Sequence, residues 1–396
     1  MPVISERVEK LSQTLIEQAL VNEELGHLSP ETGAAMRLSG ALRMLQPKEF
    51  GGAEAHPVDF FESAMEIGSH YGSAGWVTGV VGVHAWELAQ ADRRLQDEVW
   101  GHDVDTWVAS PYAPFGRATP VDGGYVFSGR WPFSSGTDCC DWIVLGGMVT
   151  DTNGDVLKPP VVKHFFLPRS DYQIDHDSWN VMGLKGTGSK DVIVRDAFIP
   201  SYRVLDQDDV YNGVAAAQER PGSSLYAMPF GSMFSAAITS ATIGIAEGAL
   251  AAFVAYTEQR KAPPSTQSAG NDKLGLNAHH LVAIGEASAD IQASRLHTLA
   301  DINRLYEVLE AGETITTDMR IEVRRNQVRA SRRAVAAIDI LFDNAGGSSL
   351  KTDQPLQRAW RDGHAALAHV LNTPNPVYEA YGFKYFGGQI PAGRMH

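Results

Sequence analysis

The chain has 396 residues, 44% hydrophobic and 20% charged, with net charge −14 and an isoelectric point near 5.4. This is the composition of an ordinary globular protein with room for two or three packed domains. The acidic balance argues against nucleic acid or an anionic membrane as principal partner, because either favours a basic surface. The two cysteines, Cys139 and Cys140, are neighbours. Vicinal cysteines seldom form a structural disulfide and lack zinc-ligand spacing, so a reducing cytoplasm and no metal are expected.

The N-terminal stretch Met1 to Leu20 has no apolar core of signal type. Ile4, Val8, Leu11, Leu15 and Ala19 recur at helical spacing. Ser29-Pro30-Glu31 predicts a helix start, a cap residue followed by proline at the first helical position. Gly51-Gly52 breaks the pattern, which resumes from Val58 to Ala89 with small residues around Gly72 to Gly82.

The texture changes near Thr106. Val121 to Phe127 reads as a turn into a strand, Trp142 to Val149 as an apolar strand, and Asn153-Gly154 as a turn between strands. His164 to Leu167 and Val192 to Val194 add further strands. Helical patterning returns from Ser224 to Asn372, clearest at Ala283 to Leu309 and Thr317 to Asn344. Gly231 to Tyr256 is nearly uncharged but carries Glu247, which predicts a buried bundle helix rather than a membrane span. Lys261 to Asn277 reads as a polar loop, and Thr373 to His396 as an irregular arm. The expected order is an α-helical domain at 1–105, a β domain at 106–212 and a helical bundle with its tail at 213–396.

Two segments suggest a ligand site. Gly183 to Lys190 resembles a P-loop, but its lysine follows the serine, and strands rather than a helix come next. Its glycines can still bring backbone N–H groups close to a polar ligand. Trp131 to Asp138 sets hydroxyls and amides beside large aromatics, which suits a flat heterocycle with a polar edge. On composition alone, a strand-to-turn junction with core aromatics is the plainer reading of that segment.

Histidines are the candidate bases. His84 lies in the apolar stretch Val80 to Leu88, and His364 and His369 lie near the end of the last bundle helix; a lone histidine in such places is more often structural. His279-His280 reads as a helix start. Arg320, Arg324, Arg325, Arg329, Arg332 and Arg333 form a basic stripe, ordinarily a solvated or salt-bridged face. No hydrolase or metalloenzyme motif occurs.

Taken together, these segments resemble the acyl-CoA dehydrogenase fold: an α+β architecture with an N-terminal helical domain, a central β-barrel-like domain and a C-terminal four-helix bundle. Phe342-Asp343-Asn344-Ala345-Gly346-Gly347, Pro355-Leu356-Gln357-Arg358 and Arg361-Asp362 carry that likeness. Where dehydrogenases of this superfamily place a catalytic glutamate, the chain reads Ala368-His369-Val370-Leu371. Trp131 through Trp142, Trp179 through Ser189 and Trp360 through His364 instead resemble the oxygenase components of two-component flavin-dependent aromatic monooxygenases. That group includes the 3-hydroxy-9,10-seco-steroid 4-hydroxylases and, more distantly, the 4-hydroxyphenylacetate hydroxylases.

The resemblance implies reduced FMN or FAD supplied by a separate NAD(P)H-flavin reductase, O2 as co-substrate, and ortho-hydroxylation of a small phenol through a flavin C4a-hydroperoxide. It implies catalytic roles for Ser135, His369 and His84, with Ser135 hydrogen-bonding flavin N5. Ser110, His84 and Trp76 hold the substrate. Trp131, Phe133, Ser135, Gly136, Thr187, Gly188, Ser189 and Arg260 form the cofactor site, and the assembly is a homotetramer. Three alternatives stay open: an oxygenase of indoles or amines, an acyl-CoA dehydrogenase-like oxidoreductase, and a non-catalytic flavin-binding protein.

Overall fold

The computed structural model describes residues 2–259 and 276–388. Helices come first: α1 (Pro2–Leu25), α2 (Pro30–Ser39), α3 (Pro57–His70), α4 (Gly72–Leu88) and α5 (Arg93–Trp100). The Ser29 side chain accepts from Thr32 N and caps α2, with Pro30 at its first position, as the sequence predicts. The Val58 to Ala89 pattern divides at Tyr71, whose extended backbone (φ −155°, ψ 112°) ends α3 and starts α4.

The middle of the chain forms one mixed sheet of β1 (Val108–Ala109), β2 (Gly116–Val121), β3 (Gly124–Ser134), β4 (Trp142–Val149), β5 (Val162–Pro168), β6 (Gln173–Asp175), β7 (Lys190–Pro200) and β8 (Val204–Asp206). Its order is β6-β7-β3-β2-β4-β5-β8, with β1 paired to β4. Phe127 on β3 stacks on Phe165 on β5 at 4.2 Å although two strands intervene. In a flat sheet those strands would stand about 14 Å apart, so the sheet curls around its aromatic core.

Then follow α6 (Gln207–Tyr211), α7 (Val214–Glu219), α8 (Phe230–Glu258), α9 (Ala278–Glu310), α10 (Thr317–Ala345), α11 (Pro355–Leu367) and α12 (Pro374–Phe383). The tail read as an irregular arm therefore contains a helix, α12, whose first helical turn carries proline. By length and composition α8 is apolar enough to cross a membrane, but 67% of its apolar window is buried inside the protein. It packs against α3, α4, α9, α10 and α11 as the central helix of the bundle.

Glycine allows the packing that fixes the site. A Cβ on Gly75 of α4 would sit 2.3 Å from Gly68 Cα on α3, and one on Gly244 of α8 would sit 2.4 Å from Met65 O. Neither distance is compatible with a real side chain, so backbones touch directly and α4 is held rigidly between its neighbours. Trp76 and His84 both project from α4, about 12 Å apart along its axis at 1.5 Å per residue.

The basic stripe on α10 does not face solvent as a unit. Arg324 is 3% exposed; it donates to Leu371 O at 2.9 Å, and burial lowers its pKa to about 10. Arg325 lies over the Tyr381 ring of α12 at 3.9 Å. Arg329 and Arg332 are exposed.

Candidate active site

Two side-chain clusters project from α4. The first gathers around Ser135, at the turn after β3. Trp76 Nε1 donates to Ser135 Oγ at 3.1 Å. Ser135 Oγ lies 2.7 Å from Ser189 Oγ, which lies 2.7 Å from Thr187 Oγ1. Gly136, in the left-handed region at φ 72°, donates its N–H to Thr187 O at 2.8 Å. The Ser-Ser-Gly and Gly-Thr-Gly-Ser segments, fifty residues apart in sequence, are thus pinned to each other. His369 joins from the bundle side, its ring edge-on to Trp76 at 5.6 Å.

The glycine loop is locked from below by α11. Asp362, 1% exposed, accepts from Leu184 N at 2.5 Å and holds Leu184 in the left-handed region at φ 54°. Arg361 donates to Met182 O and pairs with Glu23 at 2.9 Å. Burial raises the Asp362 carboxyl to about 6. Removing it leaves the buried Leu184 N–H without an acceptor. We therefore expect Asp362→Ala to cost about 2 kcal/mol of stability, read as a lower urea midpoint; an unchanged midpoint would contradict this role.

The second cluster surrounds His84, which is 2% exposed. Its Nδ1 lies 2.5 Å from Val108 O, an acceptor, so Nδ1 carries the proton and Nε2 is left as a lone-pair acceptor. Tyr112 and Phe234 rings stand 5.5 and 5.9 Å away. The Tyr112 hydroxyl is spent on Glu87, whose other oxygen lies 2.5 Å from His164 Nδ1. Ser110, half-buried, lies on the same segment as Tyr112, just after β1.

His369 is wired in the opposite sense. Its Nδ1 accepts from Leu371 N at 3.3 Å and caps the short turn Val370–Asn372. In the neutral ring the proton then sits on Nε2, which is a donor. Desolvation lowers His84 to about 4; desolvation and the Arg324 charge lower His369 to about 4. Part of His369 still meets solvent, but its ring lies against Trp76 and the buried Arg324, so both imidazoles are neutral at pH 7. The unfolded chain binds more protons than the native one between pH about 6.5 and about 4, so this contribution to stability is lost as pH falls through that window. His84→Asn, which retains a donor for Val108 O, should show a shallower loss across it in thermal melts; an identical profile would refute the neutral assignment.

Other expected residues lie elsewhere. Trp131 is fully buried, and its Nε1 donates to Gly146 O at 2.8 Å inside the sheet core, so it does not join the cluster. Phe133 does stand beside it: 68% exposed, held at φ 67°, with the Trp179 ring edge-on at 6.3 Å. A bulky residue in the left-handed region is strained, and such strain concentrates at binding sites. Gly188 takes φ 53°, and a Cβ there would strike Asp138 at 2.6 Å. His364 turns away to Asp339 at 2.9 Å. Arg260 lies outside the described residues. Glu87, Tyr112 and His164 carry this architecture without having been singled out as site residues in the sequence, and Asp362, read there only as part of the fold's signature, is the residue that locks the glycine loop. An open cleft of about 460 Å³ beside Tyr172 and Arg195 lies at the β6–β7 end of the sheet, away from both clusters.

These residues fit a flavin. Ser135 keeps an unfilled hydroxyl lone pair, and two residues before it the exposed Phe133 ring meets the half-buried Trp179 ring, a polar group and flat aromatic faces from one turn that suit a polar ring edge next to a flat aromatic face. His369 stands beside Trp76, and the buried carboxylate of Glu87 in the second cluster is committed to Tyr112 and His164. Among the described residues no His, Cys, Asp and Glu cluster could hold a metal.

Comparison with known proteins agrees with this chemistry. Residues 236–374 match the acyl-CoA dehydrogenase C-terminal domain family. The chain is 46% identical to a pigment production hydroxylase of Rhodococcus erythropolis, over 99% of this chain and 98% of that one. It is 39% identical to the flavin-dependent monooxygenase oxygenase subunit HsaA of Rhodococcus jostii, over 96% and 98%. The crystal structure of 3-HSA hydroxylase from Rhodococcus sp. RHA1 superposes with a TM-score of 0.92 at 38% identity, covering 99% of this chain and 98% of that one. The chain belongs to the oxygenase components of the two-component flavin-dependent monooxygenases, which use reduced flavin and O2 on an acyl-CoA dehydrogenase-like fold.

Proposed function

We propose that this enzyme hydroxylates a small phenol at its ortho carbon, between Ser135 and His84. The observation that carries this reading is the opposite wiring of its two neutral histidines. His84 Nε2, an acceptor in a pocket of Tyr112 and Phe234 rings, accepts a hydrogen bond from the phenol and takes its proton as the ring carbon is attacked. A phenolate ring is far more nucleophilic at its ortho carbon than a phenol ring, so this transfer activates the substrate. Ser110 supplies a second polar contact from the same wall. His369 Nε2–H is a donor for oxygen at the reacting edge, held there by Leu371 N and by Trp76.

Reduced flavin, when bound, activates O2 so that one oxygen atom passes to the substrate ring. Ser135, Gly136 and the Thr187-Gly188-Ser189 turn would hold its polar edge and Phe133 its face, with Arg260 meeting its phosphate. The apolar walls exclude water, which would otherwise divert oxygen to free peroxide. A separate NAD(P)H-flavin reductase supplies the reduced flavin. Assembly as a homotetramer in the cytoplasm completes the reading.

The test compares a phenol with its methyl ether. The phenol should yield catechol; the ether, which cannot lose a proton to His84, should yield hydrogen peroxide instead. Equal hydroxylation of both would overturn the phenolate reading and favour a substrate, such as an indole, that needs no base.

A further inference from the structure

The hydroxyls behind Ser135 form a chain that admits a single direction. Each hydroxyl carries one proton and can also accept. At one end, Leu184 O can only accept, so Thr187 Oγ1 spends its proton there at 2.8 Å. Ser189 Oγ must then donate to Thr187, and Ser135 Oγ must donate to Ser189. At the other end, Trp76 Nε1 can only donate and takes one lone pair of Ser135. What remains at Ser135 is a single lone pair.

We infer that Thr187 and Ser189 are positioning residues that set the direction of the proton on Ser135, and that this makes the site select a ligand edge that donates a hydrogen bond over one that only accepts. The inference rests on the placement of flavin N5 at Ser135 proposed above. Reduced flavin presents N5–H, a donor; oxidised flavin presents a lone pair at the same atom. Ser135 can turn its proton toward oxidised N5 only by breaking the chain. Thr187 and Ser189 are 1% and 5% exposed, so the freed hydroxyls have little access to water, and an unsatisfied buried polar group is costly. The chain therefore favours entry of reduced flavin and release of oxidised flavin through proton direction alone, without a charged residue at N5.

The experiment is anaerobic titration of the full-length protein with FMN and FAD, each oxidised and dithionite-reduced, without substrate. Thr187→Val preserves shape but removes the hydroxyl that anchors the chain, which frees Ser135 to donate. The ratio of oxidised to reduced dissociation constants should fall ~5- to 10-fold, about the worth of one hydrogen bond. Most of that change should come from tighter oxidised flavin. Ser189→Ala should act likewise, and Thr187→Ser, which restores the hydroxyl, should recover the wild-type ratio. If Ser135→Ala shifts flavin affinity while Thr187→Val and Ser189→Ala leave the ratio unchanged, the inference is overturned and the flavin placement stands. If Ser135→Ala alters neither affinity, the placement itself fails, and the inference with it.

Discussion

His84→Asn is expected to lower product formation by about 10²- to 10⁴-fold, the range typical of a lost general base. Asparagine carries a donor where His84 Nδ1 stands, so the contact to Val108 O survives and the fold is retained. What disappears is the Nε2 lone pair among the Tyr112 and Phe234 rings. Flavin oxidation should continue, with hydrogen peroxide replacing product nearly one for one. The defect should shrink with phenols acidic enough to ionise in solution, such as nitrophenols, because they need no base. A variant equally slow on acidic and ordinary phenols would show that His84 shapes the pocket rather than taking a proton.

The second large effect is expected at His369. His369→Asn keeps a side-chain acceptor for Leu371 N, asparagine being a good cap, but removes the Nε2 donor beside Trp76. Product formation should fall about 10²-fold or more, with reduced-flavin affinity within about twofold of wild type. Acidic phenols should not rescue this variant, because its defect lies on the oxygen side of the reaction. Rescue by nitrophenols would exchange the roles of the two histidines. Full hydroxylation by the variant would remove His369 from the chemistry altogether.

The order of helices, then strands, then helices, the buried character of α8 and the hydroxyl-bearing turns could be read from the sequence, because periodicity, turn residues and glycine clusters are local signals. Ser135, Thr187 and Ser189 were visible for the same reason. Their joining into one chain was not, because it depends on β3 and β7, distant in sequence, pairing antiparallel and so setting the turn after β3 against the start of β7. Trp131 illustrates the opposite failure. It sits in an informative segment, yet the strand turns it into the sheet core, while the register irregularity between Trp131 and Ser134 and the left-handed backbone of Phe133 turn that residue, two positions on, outward. Glu87 carried a readable signal as the lone acid in an apolar helix, where a charge survives only with partners. Those partners, Tyr112 and His164, come from distant segments and could not be named in advance. Arg324 was taken with its neighbours as part of a surface stripe; its burial follows from α12 and the Leu371 turn covering α10, an arrangement no helical periodicity reveals.

The most direct test of the central claim supplies reduced flavin and ¹⁸O₂ to the purified protein with a phenolic substrate, followed by mass spectrometry of the product. One ¹⁸O atom per catechol, appearing without added reductase once reduced flavin is provided, is the predicted result. Catechol carrying no label, or bleaching of bound oxidised flavin by an acyl thioester without O2, would contradict it and return the chain to dehydrogenase chemistry.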